Sequence, residues 1–65
     1  MPDEYVLYTD KKTYFVECKL NEVILSDSIS LAMIFNTIQA FHFQDMLLKV
    51  YDLNCSINTF INVDE

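Results

Sequence analysis

The chain of 65 residues contains no glycine and only one proline, while 52% of its residues are hydrophobic. This composition is typical of regular helices and strands joined by very short connections, and it excludes a disordered chain. We assign residues 1–65 to a single domain. A chain of this length buries only about 60% of the surface that its unfolded form exposes. We therefore expect marginal stability and an apolar surface that forms a protein interface.

The charged residues are strongly unbalanced, with four lysines and no arginine against ten aspartates and glutamates, for a formal net charge of −6. Direct binding of nucleic acid needs cations that displace counterions from phosphates, and arginine is the preferred reader of phosphate and guanine. The composition therefore excludes direct nucleic-acid binding. The negative charge favours solubility, and it also suits attraction to a basic protein surface such as the nucleic-acid channel of an enzyme.

Polar residues interrupt every apolar stretch well before about 18 consecutive positions, the length that a membrane helix needs. The amino-terminal region has no basic residues ahead of its first apolar ones, as a signal peptide would have. We therefore expect a cytoplasmic protein that neither spans a membrane nor is exported. In that reducing compartment Cys18 and Cys55 are expected to be free, partly buried thiols.

The amino-terminal half predicts a β-hairpin. Residues 5–9 are rich in strand formers, and residues 13–20 alternate between two faces. The connection between them has no glycine, which favours a type I turn with Asp10 at its first position. Residues 23–25 offer a short third strand.

Two capping signals predict helices after these strands. The sequence Ser-Asp-Ser supplies N-cap oxygens for a short helical segment at residues 29–33. Asn36 lies three positions before Gln39 in a loose capping-box pattern and opens a helix predicted to run to about Tyr51. Asn54 is expected to take the left-handed conformation that ends it.

The element order is completed by residues 57–63, whose alternation predicts a final strand with one buried face. The predicted fold is α+β, a small antiparallel sheet in the order β-β-(β)-α-α-β with one amphipathic helix packed on one face. A single unbroken helix over residues 29–51 is the alternative for the helical region.

The sequence LSDSISLAMIFNT at residues 25–37, followed by Ala40 and Phe43, resembles a recurrent pattern in small proteins of phages and prophages from low-GC Gram-positive bacteria. The resemblance spans most of the chain, which departs from the pattern in lacking glycine and a charged helix face. It implies a phage origin and a bacterial host cytoplasm. Some small phage proteins of similar size and acidity inhibit host defence nucleases, and these include anti-CRISPR proteins.

The predicted long helix has a broad apolar face that forms the core stripe, ending in Val50 and Tyr51. Phe41 and Leu48 lie outside this stripe on one flank, seven positions apart. Either the segment at residues 29–35 packs on them or they form a surface for a partner or a second copy.

The sheet offers a second candidate surface. If Tyr14, Val16 and Cys18 face the helix, Phe15 lies on the opposite face, and the same alternation places Phe60 there. Aromatic residues with polar neighbours are common anchors of protein interfaces. Cross-strand aromatic pairs also stabilise an open face that has no partner, so both interpretations remain.

Acidic residues flank the first and last predicted strands: Asp3 and Glu4 precede one, and Asp64 and Glu65 follow the other. Antiparallel pairing of those strands would bring all four together. Such a surface can imitate the phosphates of a nucleic-acid strand and occupy a basic channel. The simpler interpretation is a set of solvated surface acids.

Catalysis has little support because general acid-base and nucleophilic chemistry need a constellation of groups. The single histidine, His42, is expected on the polar face of the helix with Asp45 and Lys49, and this spacing is not that of a metal site. Neither cysteine has the cationic neighbours that activate a thiolate. We expect no enzyme activity, no metal and no cofactor.

The sequence thus predicts a protein-binding module that inhibits or redirects a host nuclease or another nucleic-acid enzyme. The expected partner-binding residues are the aromatic and apolar Phe15, Phe60, Phe41 and Leu48 and the acidic Asp3, Glu4, Asp64 and Glu65. The alternative is a homodimeric structural or scaffolding module that closes its own apolar surface.

Overall fold

The computed structural model of the protein describes residues 4–60. Its elements are β1 (Tyr5–Thr9), β2 (Tyr14–Lys19), β3 (Glu22–Ser26), a single 3-10 turn (Ile29–Leu31), α1 (Thr37–Tyr51) and β4 (Cys55–Thr59). The small α+β fold with an antiparallel sheet is confirmed. The elements differ from the prediction in two respects: the first of the two predicted helices is only a 3-10 turn, and β3 is a full strand.

The four strands form one antiparallel sheet in the order β3-β2-β1-β4. The first and last strands are neighbours, with Tyr5 opposite Thr59 and Thr9 opposite Cys55. This pairing agrees with the antiparallel arrangement expected for them. β4 begins two residues before the predicted start at Ile57, and residues 61–63 of the predicted strand lie outside the described residues.

Strands β1 and β2 separate beyond the point where they pair, and the extended residues 33–35 lie between them. Strands β1 and β2 pair at Tyr8 and Tyr14. Further along, the Phe35 amide donates to the Tyr5 carbonyl at 2.8 Å, and the Tyr5 amide donates to the Phe35 carbonyl at 2.9 Å. The Met33 amide donates to the Phe15 carbonyl at 3.1 Å. These bonds hold the segment extended, so the alternative of one unbroken helix is wrong.

The hairpin between β1 and β2 turns one residue earlier than predicted. The Lys12 amide donates to the Thr9 carbonyl at 3.1 Å, so Thr9 and not Asp10 occupies the first position. Thr9 is buried, and its hydroxyl oxygen is 2.8 Å from that of Thr13 and accepts from the Lys11 amide at 3.1 Å. A buried hydroxyl needs such partners, which explains the position of the turn. Without glycine, Lys12 itself takes the left-handed conformation, with φ of 62°.

Helix α1 has the predicted bounds because its N-terminal cap is complete. The Gln39 amide donates to the Asn36 side-chain oxygen at 2.8 Å, and the Asn36 amide donates to the Gln39 side-chain oxygen at 3.2 Å. The helix also ends at Tyr51 as predicted, but the residue predicted to take the left-handed conformation after it is wrong. Asp52, with φ of 56°, takes the left-handed position assigned to Asn54, and its amide donates to the Leu48 carbonyl at 3.0 Å.

Helix α1 packs on one face of the sheet around a cluster of buried residues. The cluster consists of Leu7, Phe15, Phe35, Ala40, Leu47 and Leu53. The Phe43 ring joins it, with its centroid 5.0 Å from that of Phe35 and 6.0 Å from that of Phe15. An aromatic group of this kind contributes more than its buried area alone. Three phenylalanine rings therefore meet where the helix packs on the sheet.

The predicted faces of β2 are wrong, because Phe15 lies in this core and not on the opposite face. The register explains the error. Glu17 is paired with Ile24 and Phe15 with Leu25, so Val16 is an extra residue in a β-bulge. A bulge shifts the alternation of side-chain faces by one residue. Phe15 and Cys18 therefore both lie on the helix side although they are three positions apart.

Candidate partner-binding surface

One flank of α1 carries apolar side chains that nothing covers within residues 4–60. Ile38 is 81% exposed, Phe41 61% and Leu48 44%. We call these three residues the exposed flank. Their spacing, together with Asp45, alternates between three and four positions, which keeps them in one row along the helix. The prediction that Phe41 and Leu48 lie outside the core is confirmed.

The alternative explanation for Phe41 and Leu48, that residues 29–35 pack on them, is wrong. Residues 33–35 of that segment lie extended between β1 and β2, and Phe35 is buried in the core. Val50, assigned to the core stripe by its position on the helix, is also exposed, at 65%. It lies in the last turn of α1, on the side away from Leu48, so it does not belong to the exposed flank.

Gln44 connects the exposed flank to the edge of the sheet. It lies three positions after Phe41 and four before Leu48, so its side chain is their neighbour on the helix surface. Its amide nitrogen donates to the Cys55 backbone carbonyl at 2.8 Å. Since β4 is an edge strand, the exposed flank lies along the free edge of the sheet.

The face of the sheet away from α1 differs from the prediction. Phe15 is absent from it. Phe60 follows β4, three positions after the core-packed Ile57, so the alternation of the strand places it on this face. It is half-buried there. Its amide donates to the Glu4 carbonyl at 2.8 Å. The aromatic pair on this face consists of Tyr8 and Tyr14, with ring centroids 4.9 Å apart.

Of the four acidic residues proposed to imitate phosphates, Glu4 is described. It is exposed and lies beside Phe60 through the backbone hydrogen bond between them. Asp3, Asp64 and Glu65 lie outside the described residues. The pairing of β1 with β4 is the arrangement that the phosphate-imitation hypothesis requires.

The polar face of α1 is a solvated surface with one ion pair. The Lys49 ammonium nitrogen is 3.2 Å from an Asp45 carboxylate oxygen, and both side chains are largely exposed. Such a pair contributes about 0.3–0.5 kcal/mol. His42 is exposed, and its ring meets the Phe43 ring edge to face at a centroid distance of 6.1 Å. Among residues 4–60, no group of three or more His, Cys, Asp or Glu side chains could hold a metal ion.

Both cysteines are free thiols. Cys18 is exposed and not partly buried as expected, and its sulfur is 3.0 Å from the Tyr51 phenol oxygen. The hydrogen bond with Cys18 raises the pKa of Tyr51, and burial and the charge of a Cys18 thiolate add to the effect. Burial raises the pKa of Cys55, and the nearby Asp10 carboxylate raises it further. A raised pKa keeps Cys55 in the neutral thiol form, which is a poor nucleophile.

A shallow groove of about 330 Å³ lies where β4 begins. It is lined by Tyr8, Thr9, Asp10, Asn54, Cys55 and Ser56. Asp10 is its one carboxylate, and the Cys55 thiol lies close enough for that carboxylate to raise its pKa. The raised pKa keeps this thiol neutral beside Asp10.

Comparisons with protein-family models, with curated proteins and with solved structures found no match for this chain. No helix within residues 4–60 has the length and apolar character needed to cross a bilayer. The main feature of the described surface is the exposed flank of α1 beside the free edge of the sheet.

Proposed function

We propose that this chain is a non-enzymatic protein-binding module that docks through the exposed flank of α1. The observation that carries the proposal is the exposure of Ile38, Phe41 and Leu48 on one flank of a helix that buries Ala40 and Leu47 on another face. Apolar side chains exposed singly are normal, whereas several grouped on one flank are typical of an interaction site. Phe41 is the expected anchor because aromatic side chains contribute most to interface energies.

The charge of the chain supports a basic protein as the partner. The formal net charge is −6, and Asp45 lies within the row of the exposed flank. A surface of this kind accelerates association with a positively charged protein. Together with the resemblance to small phage proteins, this supports a phage-encoded protein that inhibits or redirects a nucleic-acid-handling or defence enzyme of its bacterial host, in the manner of an anti-CRISPR protein.

The double variant Phe41→Ser with Leu48→Ser tests the docking surface. The partner is first captured on the immobilised protein from lysate of a low-GC Gram-positive bacterium, identified and purified. We then expect the wild-type chain to bind and inhibit it, and we expect the double variant to bind about 1,000-fold more weakly, since two interface anchors at about 2 kcal/mol each contribute about 4 kcal/mol. Isothermal titration calorimetry measures the affinity, and a nuclease or polymerase assay measures inhibition.

The matched control is Leu20→Ser with Val50→Ser, which removes two exposed apolar side chains away from the exposed flank. Its affinity should stay within about twofold of the wild-type value, because surface substitutions outside an interface have small effects. Equal losses in both double variants would show that general apolarity, and not this flank, holds the partner. An unchanged affinity in the Phe41 and Leu48 variant would contradict the proposal.

Removing the terminal charges tests the imitation of phosphates separately. The quadruple variant Asp3→Asn, Glu4→Gln, Asp64→Asn and Glu65→Gln should lose inhibition and should show a weaker dependence of affinity on salt, because the charges that the basic channel attracts are gone. Inhibition assays at two salt concentrations measure both effects. If the quadruple variant inhibits as well as the wild type, the imitation of phosphates is wrong while docking through the exposed flank stands.

The second candidate is a homodimeric structural module, and the spacing of the exposed flank supports it. Alternating steps of three and four positions are the pattern by which two helices pair. Against it, each copy has a formal net charge of −6, so two copies repel each other on contact. Light scattering over a concentration series separates the candidates, because a stable dimer that captures no other protein would favour the structural module.

A further inference from the structure

The hydrogen-bond pattern of β4 shows which of its backbone groups face away from the sheet. The Asp10 amide donates to the Asn54 carbonyl, and the Phe60 amide donates to the Glu4 carbonyl. In an antiparallel ladder the bonded residues alternate, so Ser56 and Asn58 also direct their backbone groups to β1. Ile57 and Thr59 direct theirs to the free edge. No strand lies on that side of β4 in the part of the chain that the structure describes.

The β4 edge lacks the devices that usually prevent strand addition. Its sequence, Cys-Ser-Ile-Asn-Thr, has no charged residue and no proline, and no bulge interrupts its pairing with β1. The opposite edge differs, because β3 begins at the charged Glu22 and its pairing with β2 contains a bulge. Charges and bulges are common means of blocking an edge. The β4 edge is therefore the one suited to receive another strand.

Gln44 determines where an added strand can pair. Its side-chain amide already occupies the Cys55 carbonyl at 2.8 Å. The residues of β4 that keep both an amide and a carbonyl for pairing at this edge are thus Ile57 and Thr59. Because Gln44 neighbours Phe41 and Leu48 on the helix, side chains of an added strand that point to the helix side would reach the exposed flank.

We propose that the β4 edge and the exposed flank form one composite site, which binds an extended segment of the partner protein by antiparallel strand addition. This inference rests on the proposed function, which it extends from a docking surface to a mode of recognition. The segment pairs its backbone with Ile57 and Thr59 and packs alternate apolar side chains on Phe41 and Leu48. Backbone pairing supplies affinity, and the side-chain contacts supply specificity.

Charge favours a segment of another protein over β4 of a second copy. Each copy has a formal net charge of −6, so pairing two copies adds their repulsion at the contact. A segment with lysine or arginine residues beside its apolar positions would instead be attracted to the acidic chain as a whole. The occupant is therefore an extended, basic and partly apolar segment.

A synthetic peptide of alternating threonine and valine, with a lysine at each end, is a suitable probe. In antiparallel addition the peptide residues that bond to Ile57 and Thr59 have their side chains on the helix side, as Ile57 does. Valine should occupy those positions and contact the exposed flank. With isotope-labelled protein, the amide resonances of Ile57 and Thr59 should shift on titration and become protected from hydrogen exchange.

Two N-methylated peptides serve as matched controls. Methylation of the valine nitrogens removes the donors that face β4, and we expect it to weaken binding about tenfold or more, equivalent to the loss of one to two hydrogen bonds. Methylation of the threonine nitrogens leaves those donors intact, and binding should persist. Equal affinity of the two peptides, or shifts confined to the Tyr8 and Tyr14 face, would overturn the inference.

The variant Thr59→Pro tests the same edge from the protein side. Proline removes an amide that faces the free edge and leaves the hydrogen bonds to β1 intact, which edge strands tolerate. We expect it to lose the peptide, while the control Thr59→Val retains it. If Thr59→Pro fails to fold, the two methylated peptides still decide the question.

The inference and the proposed function can fail separately. Normal binding of the captured partner by Thr59→Pro, with loss of binding in the Phe41 and Leu48 double variant, would overturn strand addition and leave the docking surface intact. Normal binding by both variants would contradict both. A dimer that forms without peptide and is abolished by Thr59→Pro would overturn the choice of occupant.

Discussion

Replacing Phe15 by alanine is expected to leave the protein largely unfolded at room temperature. The ring is fully buried, and its centroid is 6.0 Å from those of both Phe35 and Phe43, so the substitution opens a cavity at the centre of the aromatic cluster. Substitutions of this kind cost about 3–5 kcal/mol. A core of this size supplies about 3–5 kcal/mol in total. Urea unfolding followed by circular dichroism measures the loss.

The matched control for this experiment is Phe41→Ala. It removes the same ring from an exposed position on α1, so its effect on unfolding should be below about 1 kcal/mol. If Phe15→Ala unfolded at nearly the wild-type urea concentration, Phe15 would lie outside the core and the alternation predicted for β2 would be right. A large loss in Phe41→Ala would show that the flank is covered by the protein itself.

The second large effect concerns two adjacent leucines on α1. Leu47 is fully buried against the sheet, whereas Leu48 belongs to the exposed flank. Leu47→Ala should lower the free energy of unfolding by about 2–5 kcal/mol, because it creates a cavity between the helix and the sheet. Leu48→Ala should lower it by less than about 1 kcal/mol. Thermal and urea unfolding of the two variants measure the difference.

This pair of variants also tests the rotation of α1 about its axis. Adjacent helical residues point about 100° apart, so a buried and an exposed leucine side by side determine which way the helix faces. Similar losses from the two substitutions would mean that both side chains are covered. In that case the exposed flank would not be available to a partner.

The features that the sequence predicts well are those set by neighbouring residues. The bounds of α1 follow from the reciprocal cap of Asn36 and Gln39 and from a helical period that continues to Tyr51. The exposure of Phe41 and Leu48 follows from the same period. Ile38 was missed, although its place three positions before Phe41 puts it in the same row and could have identified it.

The features that the sequence does not predict depend on contacts between distant residues. The bulge at Val16 depends on the register between β2 and β3, and it reversed the expected face of Phe15. The extended segment near Phe35 is held by bonds to Tyr5 and Phe15 rather than by its own propensity. The role of Gln44 becomes visible only once β4 is known to begin at Cys55, since its bond is to that carbonyl.

The neighbouring position of β1 and β4 has a consequence for the order of folding. Their contact joins Tyr5 to Thr59, so the central strand receives its second neighbour only after the chain up to β4 has left the ribosome. Closing so long a loop is slow compared with forming α1 or a hairpin. Until β4 arrives, β1 itself is an open edge. The nascent chain therefore exposes the backbone edge of the apolar strand β1 until β4 is synthesised and pairs with it.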